Sequence, residues 1–298
     1  MAHETVTAEL RARRAQGRAM GGAKKLAARQ AEGLLNARER VDALLDPGSF
    51  LETGLLAASA DRALRDRTPA DGKVAGFGRV QGRMVAVVSN DFTVLGASSS
   101  KINGKKMSHI KHVATKNGMP IIFFGESTGA RMPEIMGAAG IGAGDTRNRY
   151  LRMRETPWAS AVLGPCYGSS SWYAAMSDFV VMRRGAVMAV ASPKLTSLAI
   201  SEEVDPEALG GWRVHANTTG LVDQVTDTDE QAVAALQRFL SYMPSHHGEA
   251  PPLAEVPAGS EDGAARLEAL LPKTRQQVYD VRRVLEAICD LGSVFEMK

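Results

Sequence analysis

Two stretches of this 298-residue chain repeat one pattern: a short apolar run, a glycine, small polar residues and then a helix. The first is MPIIFF followed by GESTGA (residues 119–130), and the second is WASAVL followed by GPCYGSS (residues 158–170). Each apolar run predicts a short buried strand that leads through a loop into a helix. The two loops thus have the same place relative to their strands and helices.

The first loop has the G-x-S-x-G spelling of a hydrolase nucleophile elbow, with Ser127 as the candidate nucleophile. Such an enzyme needs a histidine downstream, and His215 or the pair His246–His247 meets this need by chain order alone. Against this hypothesis, Pro133 offsets the helix that should follow an elbow directly, and no HGGG-like segment lies upstream. A second alternative is that both loops are only tight turns between a strand and a helix.

The repeat itself favours a different chemistry. Small residues let a ligand approach main-chain N–H groups closely, and the N-terminus of a following helix aligns such donors. Two such loops on neighbouring strands place donors around one oxygen atom, which is the geometry of an oxyanion hole. The sequence therefore favours a backbone site that stabilises negative charge over a serine nucleophile.

The rest of the chain predicts further elements. Residues 1–48 are expected to be a helical segment with a break at Gly21–Gly22. KVAGFGRV and RMVAVVSN flank Gln81–Gly82 and predict a β-hairpin, and a helix capped by the serines at 98–100 follows. Another helix is expected over residues 147–156, whereas 249–277, rich in proline, glycine and acid, indicate a linker.

Composition excludes several classes of protein. The formal charge of +3 gives no argument for nucleic acid, and the basic residues between 11 and 30 are interpreted as a solvated helical face or as a rim for anions. The glycines at 137–145 do not fit G-x-G-x-x-G, because Asp145 stands where the third glycine is needed. Two cysteines cannot form a disulfide framework, and neither a signal peptide nor a membrane span is indicated, so we expect a cytoplasmic protein that binds no membrane.

Longer segments resemble the carboxyltransferase (beta) subunits of propionyl-CoA carboxylase and related acyl-CoA carboxylases. DFTVLGASSSKINGKKM, ESTGARMPE and GPCYGSSSWYAAMSDFVVM are similar to the family motifs D-F-T-V-x-G-G-S, D-S-G-G-A-R and G-P-C-A-G-G. The similarity extends back to NARERVDALLDPGSFLE and forward to ALGGWRVHANTTGLVD and VYDVRRVLEAICDLGSVFE. It implies an α/β fold of the crotonase-like type, a spiral of repeated ββα units. Residues 49–248 would then form the acyl-CoA-binding N-domain, and residues 278–298 the first helix of a second domain.

The resemblance also implies a reaction: transfer of CO2 from carboxybiotin to the α-carbon of an acyl-CoA, by way of a thioester enolate and without a metal ion. It assigns the oxyanion donors to backbone N–H groups at Gly129, Ala130, Gly168 and Ser169. The residues expected near coenzyme A are Gly96, Ala97, Ser98, Lys101, Thr128, Arg131 and Tyr167. Lys105, Lys106 and Lys111 share a helix with Lys101, and such lysines meet CoA phosphates or form an exposed face. Cys166 is interpreted as a packing residue.

Four residues depart from the family motifs. Glu126 stands where the family has Asp, Thr128 and Ser169 where it has Gly, and Tyr167 where it has Ala. A β-branched threonine resists a positive φ, so position 128 either has ordinary dihedral angles or belongs to a reshaped loop. Tyr167 adds bulk beside the expected thioester site.

The expected partners follow from the resemblance. They are a separate subunit that carries the second domain with carboxybiotin, a biotin carboxylase and a biotin carboxyl carrier protein, in a hetero-oligomer that the chain needs for activity. Two other functions stay open: a biotin-independent acyl-CoA decarboxylase or hydratase, and a non-catalytic assembly paralogue. A truncated form of a longer protein is also compatible with the sequence.

Overall fold

The computed structural model describes residues 2–135 and 154–298. Within it the chain divides into two compact units, Met1–Pro251 and Pro252–Lys298. The glycine-rich stretch 137–145 lies outside the described residues, as does most of the helix expected over 147–156. The described end of that stretch, residues 154–156, is not helical.

The first unit is built on one eight-stranded sheet. Its strands are β1 (Leu51–Glu52), β2 (Lys73–Val80), β3 (Arg83–Asn90), β4 (Ile121–Ser127), β5 (Trp158–Tyr167), β6 (Phe179–Arg183), β7 (Val187–Ala189) and β8 (Gln224–Thr226). The order across the sheet is β1-β2-β3-β4-β5-β6-β8, with β7 paired to β5. β1 to β3 are antiparallel, whereas every pairing from β3 onwards is parallel.

Helices surround this sheet. They are α1 (Ala2–Arg18), α2 (Ala23–Ala31), α3 (Ala37–Leu44), α4 (Lys101–Lys116), α5 (Met132–Ile135), α6 (Ser169–Ala175), α7 (Pro193–Ile200), α8 (Pro206–Gly210), α9 (Trp212–Val214) and α10 (Asp229–Tyr242). The helical N-terminal segment is confirmed, with its break at Gly21–Gly22 and a second break before α3.

Local signals account for the elements nearest the site. The β2–β3 hairpin turns at Gln81 and Gly82, which both have positive φ (51° and 80°) as a two-residue hairpin loop requires. Ser100 caps α4: its Oγ accepts from the Asn103 N–H at 3.1 Å, while its own N–H donates to Asn103 Oδ1 at 3.0 Å.

The strands that carry the repeated pattern are longer than expected. The sequence predicts strands over MPIIFF and WASAVLG, but β4 continues to Ser127 and β5 to Tyr167. The pairing runs on because Gly125 stays opposite Val162 and Ser127 opposite Cys166, with a register shift between the two pairs. Part of each expected loop is therefore strand, and the turns are shorter than the motifs.

The core fixes the position of these strands. Val88 of β3, Phe123 of β4 and Trp158 of β5 are fully buried in one cluster with Met107 of α4 and Tyr173 of α6. Burying an aromatic or aliphatic side chain of this size stabilises the fold by about 1.5–3 kcal/mol. The carboxyl ends of β3, β4 and β5 are thereby held at one edge of the sheet.

The second unit contains α11 (Leu267–Leu270) and α12 (Val281–Ile288), preceded by a 3₁₀ turn over Ser260–Arg266. The helix expected in YDVRRVLEAICDL is confirmed, and the Asp280 side chain caps it at the Arg282 N–H. Among the described residues of the whole chain, no helix combines the length and apolar character needed to cross a bilayer. The expected cytoplasmic location stays a prediction.

Candidate active site

Three loops meet where β3, β4 and β5 end. Loop 1 is residues 95–99, loop 2 is residues 127–131, and loop 3 is residues 166–169. The Ser99 N–H donates to the Gly129 carbonyl at 2.7 Å, and the Arg131 N–H donates to the Ser99 carbonyl at 2.8 Å. The Ser99 hydroxyl lies 2.7 Å from the Ser169 hydroxyl. Loop 1 therefore contacts both of the loops that the sequence singles out.

Ser127, the first residue of loop 2, holds the loop through hydrogen bonds and is not placed as a nucleophile. Its side chain is fully buried, its Oγ donates to the Ala97 carbonyl at 3.2 Å, and it accepts from the Gly129 N–H at 3.0 Å. Nε2 of His215, the candidate base, lies 2.7 Å from the Met188 carbonyl. Among the described residues, no imidazole forms a hydrogen bond to this serine. The hydroxyl holds the backbone of loops 1 and 2 together.

Gly129, and not Thr128, takes the unusual backbone angle of loop 2. Gly129 has φ +100°, whereas Thr128 is not among the residues of positive φ. The Thr128 N–H donates to the Gly96 carbonyl at 2.9 Å, and its side chain is exposed. Of the two alternatives for position 128, the ordinary dihedral angles are the correct one, and the threonine costs the loop no strain.

Gly168 brings loop 3 against loop 2. Its angles, φ +63° and ψ −130°, are accessible only to glycine, and a Cβ built there would lie 3.4 Å from the Gly129 Cα. Its N–H donates to the Val190 carbonyl at 3.0 Å, next to β7. A side chain at position 168 would strain the turn because of these backbone angles, and its Cβ would be in van der Waals contact with loop 2.

Two of the four expected donor amides are already used inside the protein. The Gly129 N–H donates to Ser127 and the Gly168 N–H to Val190. The N–H groups of Ala130 and Ser169 have no acceptor among the described residues, and Ser169 is the first residue of α6. An N–H in the first turn of a helix has no intrahelical partner. The pair that the geometry leaves for a ligand is thus Ala130 and Ser169.

The side chain of Arg131, which is expected near coenzyme A, is buried among partners within the protein. It is 4% exposed, and its guanidinium donates to Asp71 (2.6 Å), to Glu134 (3.0 Å), and to Ser98 through Nε (3.1 Å). Burying an arginine requires that its donors be satisfied, and this one is satisfied within the protein. Arg131 fixes loop 2 to loop 1.

Three of the residues expected near coenzyme A, Gly96, Ala97 and Lys101, lie in loop 1 or at the start of α4. Gly96 has φ +62°, and a Cβ there would come within 2.5 Å of Thr128 Cγ2. Ala97 keeps a positive φ (49°) although it is not glycine. Lys101, the first residue of α4, is half-buried, and its side chain forms no hydrogen bond or ion pair with the described residues. Gly96 and Ala97 of loop 1 support loop 2 through their carbonyl groups, which accept from Thr128 and Ser127.

Lys106 is not part of an exposed helical face. Its Nζ donates to the carbonyls of Gly54 (3.1 Å) and Ala70 (2.9 Å), and to that of Lys73. Burial lowers its pKa to about 8. This lysine anchors α4 and is not available to a phosphate.

Two further side chains end β5. Cys166 is fully buried, and burial, together with the nearby Glu126 carboxylate, raises the pKa of its thiol. A thiol in these surroundings stays protonated, which fits its interpretation as a packing residue. Tyr167 is half-buried, and burial raises the pKa of its phenol. Tyr167 is thus a residue of loop 3 whose side chain is partly open to solvent.

Known proteins match the chain along nearly all of its length. The Carboxyl transferase domain family matches residues 28–298. The chain belongs to this family. The propionyl-CoA carboxylase beta chain of Roseobacter denitrificans is 35% identical over 295 residues, which are 97% of this chain and 58% of that protein. The propionyl-CoA carboxylase carboxyltransferase subunit of Haloferax mediterranei is 34% identical over 292 residues, which are 96% of this chain and 56% of that protein.

Solved structures of carboxyltransferases have the same fold. Transcarboxylase 12S with methylmalonyl-coenzyme A and methylmalonic acid bound matches with a TM-score of 0.89 and 29% identity, over 99% of this chain and 58% of that one. A single-chain, multi-domain long-chain acyl-CoA carboxylase matches with a TM-score of 0.83 and 30% identity, over 98% of this chain and 29% of that one. The resemblance and the crotonase-like α/β fold are confirmed. The chain spans a little over half the length of the carboxylase beta chains it matches.

In this member of the carboxyl transferase family, a buried ion cluster lies under loop 2, and no sequence motif predicts it. Glu126 is 1% exposed and binds Arg29 of α2 (3.0 Å) and Arg40 of α3 (2.6 Å). Arg40 also binds Asp229, the first residue of α10, at 2.8 Å. Arg29 lies in the basic stretch that was interpreted as a solvated face, and for this residue that prediction is wrong. A contact between residues 97 positions apart leaves no periodic trace in a sequence.

Proposed function

We propose that this chain is the acyl-CoA-binding component of a biotin-dependent acyl-CoA carboxyltransferase. The observation that carries the proposal is a pair of backbone N–H groups, those of Ala130 and Ser169, that have no hydrogen-bond acceptor among the described residues and lie on two loops in contact. Family membership supports the same reaction class, since the matched relatives are carboxylase and transcarboxylase subunits.

The proposed chemistry needs no nucleophilic side chain. When the α-proton of an acyl thioester is removed, negative charge develops on the carbonyl oxygen, and two fixed N–H donors stabilise the resulting enolate. The amides of Ala130 and Ser169 would donate to that oxygen, and the N-terminus of α6 adds a favourable dipole. The carbon nucleophile then attacks CO2, so a carbon–carbon bond forms and the thioester carbonyl is restored.

An apolar cavity suggests where the acyl group binds. A cavity of about 390 Å³ is bounded by α6, by β7 with the residues after it, and by α8. Trp172, Val190, Leu209 and Leu221 line it, and Val190 is the residue whose carbonyl binds Gly168 of loop 3. The cavity thus lies beside the loop that carries the Ser169 amide. A pocket of this size and character suits a hydrocarbon chain.

Carboxybiotin on a carrier protein would supply the carboxyl group as CO2, and the biotin anion left behind would accept the α-proton. One pair of amides serves one carbonyl oxygen, and the biotin carbonyl needs a pair of its own. We therefore propose that carboxybiotin binds to a second carboxyltransferase domain on a separate subunit, and that a biotin carboxylase and a biotin carboxyl carrier protein complete the assembly. Affinity capture of this chain from its native host is expected to recover these components. Recovery of the chain alone would contradict the proposal.

The direct test removes one amide. Proline is well tolerated at the first position of a helix and has no N–H, so Ser169→Pro deletes the donor while preserving α6. Ser169→Ala is the matched control, because it removes the hydroxyl that contacts Ser99 and keeps the N–H. Calorimetry would measure binding of propionyl-CoA and of a nitronate analogue, a CoA derivative in which a nitronate replaces the thioester enolate.

Loss of one oxyanion donor typically costs about 10²–10³-fold in rate. We expect Ser169→Pro to weaken nitronate binding by a similar factor and Ser169→Ala by less than about threefold. Equal effects of the two substitutions would contradict a role for the Ser169 amide. Failure of the wild-type chain to bind either compound would contradict the proposed function as a whole. Decarboxylation of methylmalonyl-CoA by the isolated chain, without biotin, would favour the biotin-independent alternative.

A further inference from the structure

Asn90 bridges loops 2 and 3 from beneath. It is the last residue of β3 and is fully buried. Its side-chain Nδ2 donates to the Glu126 carbonyl at 2.9 Å and to the Ser170 hydroxyl at 3.0 Å. Glu126 directly precedes loop 2 and Ser170 directly follows loop 3. One amide group therefore spans the two segments that carry the donors Ala130 and Ser169.

The orientation of this amide is fixed from its other side. Lys73 faces Asn90 across the β2–β3 pair, and its ammonium group donates to Asn90 Oδ1. Lys73 is 3% exposed, so both partners are held within the protein. A lysine ammonium can only donate, so the Asn90 oxygen faces Lys73 and the NH2 group faces the loops.

The sheet itself does not provide this bridge. The β4–β5 ladder is regular up to Gly125 opposite Val162, then shifts register before Ser127 pairs with Cys166. Glu126 lies at this irregularity, where a residue is left without a regular partner in the ladder. Asn90 Nδ2 donates to the Glu126 carbonyl at this irregularity. A side chain therefore links the two segments beside the point where the backbone pairing is interrupted.

We propose that Asn90 is a positioning residue that sets the separation between the Ala130 and Ser169 amides. This inference rests on the proposed function, because the separation matters only if both amides bind one oxygen. An oxygen held between two donors is sensitive to their distance, and a displacement of about 1 Å can cost about 10²-fold in rate. Asn90 touches no substrate and acts through Glu126 and Ser170.

Asn90→Asp tests the proposal with little change of shape. The carboxylate keeps a partner for Lys73, but it places an oxygen against the Glu126 carbonyl, where two acceptors repel each other. The Ser170 hydroxyl can reverse and donate, so only the bond to loop 2 is lost. We expect nitronate binding to fall about 10–100-fold and propionyl-CoA binding to change by less than about threefold. In the free protein, the amide NMR signals of Ala130 and Ser169 are expected to shift.

Two controls separate positioning from general stability. Asn117→Asp makes the same chemical change at an exposed asparagine at the end of α4, and it should alter neither affinity. Ser170→Ala removes only the loop 3 side of the bridge. It is expected to have a smaller effect, and the double variant should bind no more weakly than Asn90→Asp alone.

The outcomes are distinguishable. Unchanged nitronate affinity in a folded Asn90→Asp variant would overturn the positioning role and leave the proposed function standing. An equal loss of affinity for both ligands, together with a lowered melting temperature, would indicate a merely structural residue and would also overturn it. A wild-type chain that binds neither ligand would overturn the proposed function and this inference together.

Discussion

Glu126 joins the N-terminal helices to the site, and its replacement by glutamine gives a quantitative test of the buried ion cluster. Oε1 and Oε2 each lie 3.0 Å from a nitrogen of Arg29, and Oε2 lies 2.6 Å from Arg40 Nη1. The side chains of Glu126, Arg29 and Arg40 are 2%, 10% and 0% exposed. Glutamine has nearly the same shape as glutamate but no charge. In Glu126→Gln, Asp229 is therefore the remaining carboxylate that binds Arg40.

Removing one partner from a buried pair typically costs about 3–5 kcal/mol, because the remaining charge is left uncompensated and away from water. We expect Glu126→Gln to lower the free energy of unfolding of the first unit by this amount at pH 7. All three tryptophans of the chain, at positions 158, 172 and 212, lie in the first unit, so their fluorescence during urea denaturation reports its unfolding.

The same cluster predicts a pH dependence. Burial alone would raise the pKa of Glu126, but Arg40 and Arg29 outweigh it and hold the pKa below its ordinary value. A carboxyl group with a lowered pKa stabilises the fold fully above its unfolded pKa of about 4.3, and this contribution is lost as the pH falls through the folded pKa. The difference between wild type and Glu126→Gln should therefore be constant near neutral pH and shrink below about pH 4.

Glu9→Gln is the matched control. Glu9 and Arg13 form an ion pair one helical turn apart, with side chains that are 58% and 65% exposed. Exposed pairs of this kind contribute about 0.3–0.5 kcal/mol, so the control should be nearly as stable as wild type. If Glu126→Gln costs less than about 1 kcal/mol, or if its effect does not depend on pH, the cluster does not anchor loop 2 through charge.

Three other substitutions test the loops. Ser127→Ala leaves the Gly129 N–H without its acceptor and should lower the free energy of unfolding by about 1–3 kcal/mol. The variant should still support carboxylation in a reconstituted enzyme, and a folded but inactive variant would restore the nucleophile hypothesis. Gly168→Ala forces a side chain into φ +63° and should lower both melting temperature and nitronate affinity, which a thermal scan and calorimetry measure; an unchanged variant would contradict the strain argument. Tyr167→Ala introduces the alanine of the family motif and should leave more space beside loop 3. Calorimetry should then show tighter binding of hexanoyl-CoA than of propionyl-CoA, by up to about fourfold for each additional methylene that is buried. Equal affinities for the two thioesters would contradict this prediction.

The sequence predicts those parts of the fold that depend on neighbouring residues. The hairpin at Gln81–Gly82 and the cap at Ser100 are set by backbone preferences within a few positions, and both were identified correctly. The two strand–loop–helix repeats indicated that loops 2 and 3 could lie together if their strands were neighbours, and β4 and β5 do pair directly. The sequence predicts ends of β4 and β5 that come too early in the chain. Backbone pairing between two strands can continue through polar residues, and the hydrophobic pattern does not show this.

Contacts between distant residues cannot be predicted from local patterns. The Arg131 guanidinium donates to Asp71, which lies 60 positions away. The basic N-terminal stretch suggested a solvated face, but Arg29 reaches Glu126. A charged side chain has the same appearance in a sequence whether it faces water or a buried counterion. Only the arrangement of the strands brings such pairs together.

The departures from the family motifs fall at positions where the backbone does not need glycine. Thr128 has no positive φ, and Ser169 has the helical conformation of the first residue of α6. Gly129 and Gly168, whose positive φ disfavours a side chain, match glycines of the motifs. A site made of main-chain N–H groups is preserved when side chains change without a change of dihedral angles. For this reason the substitutions at 128 and 169 are compatible with an unchanged backbone at both positions.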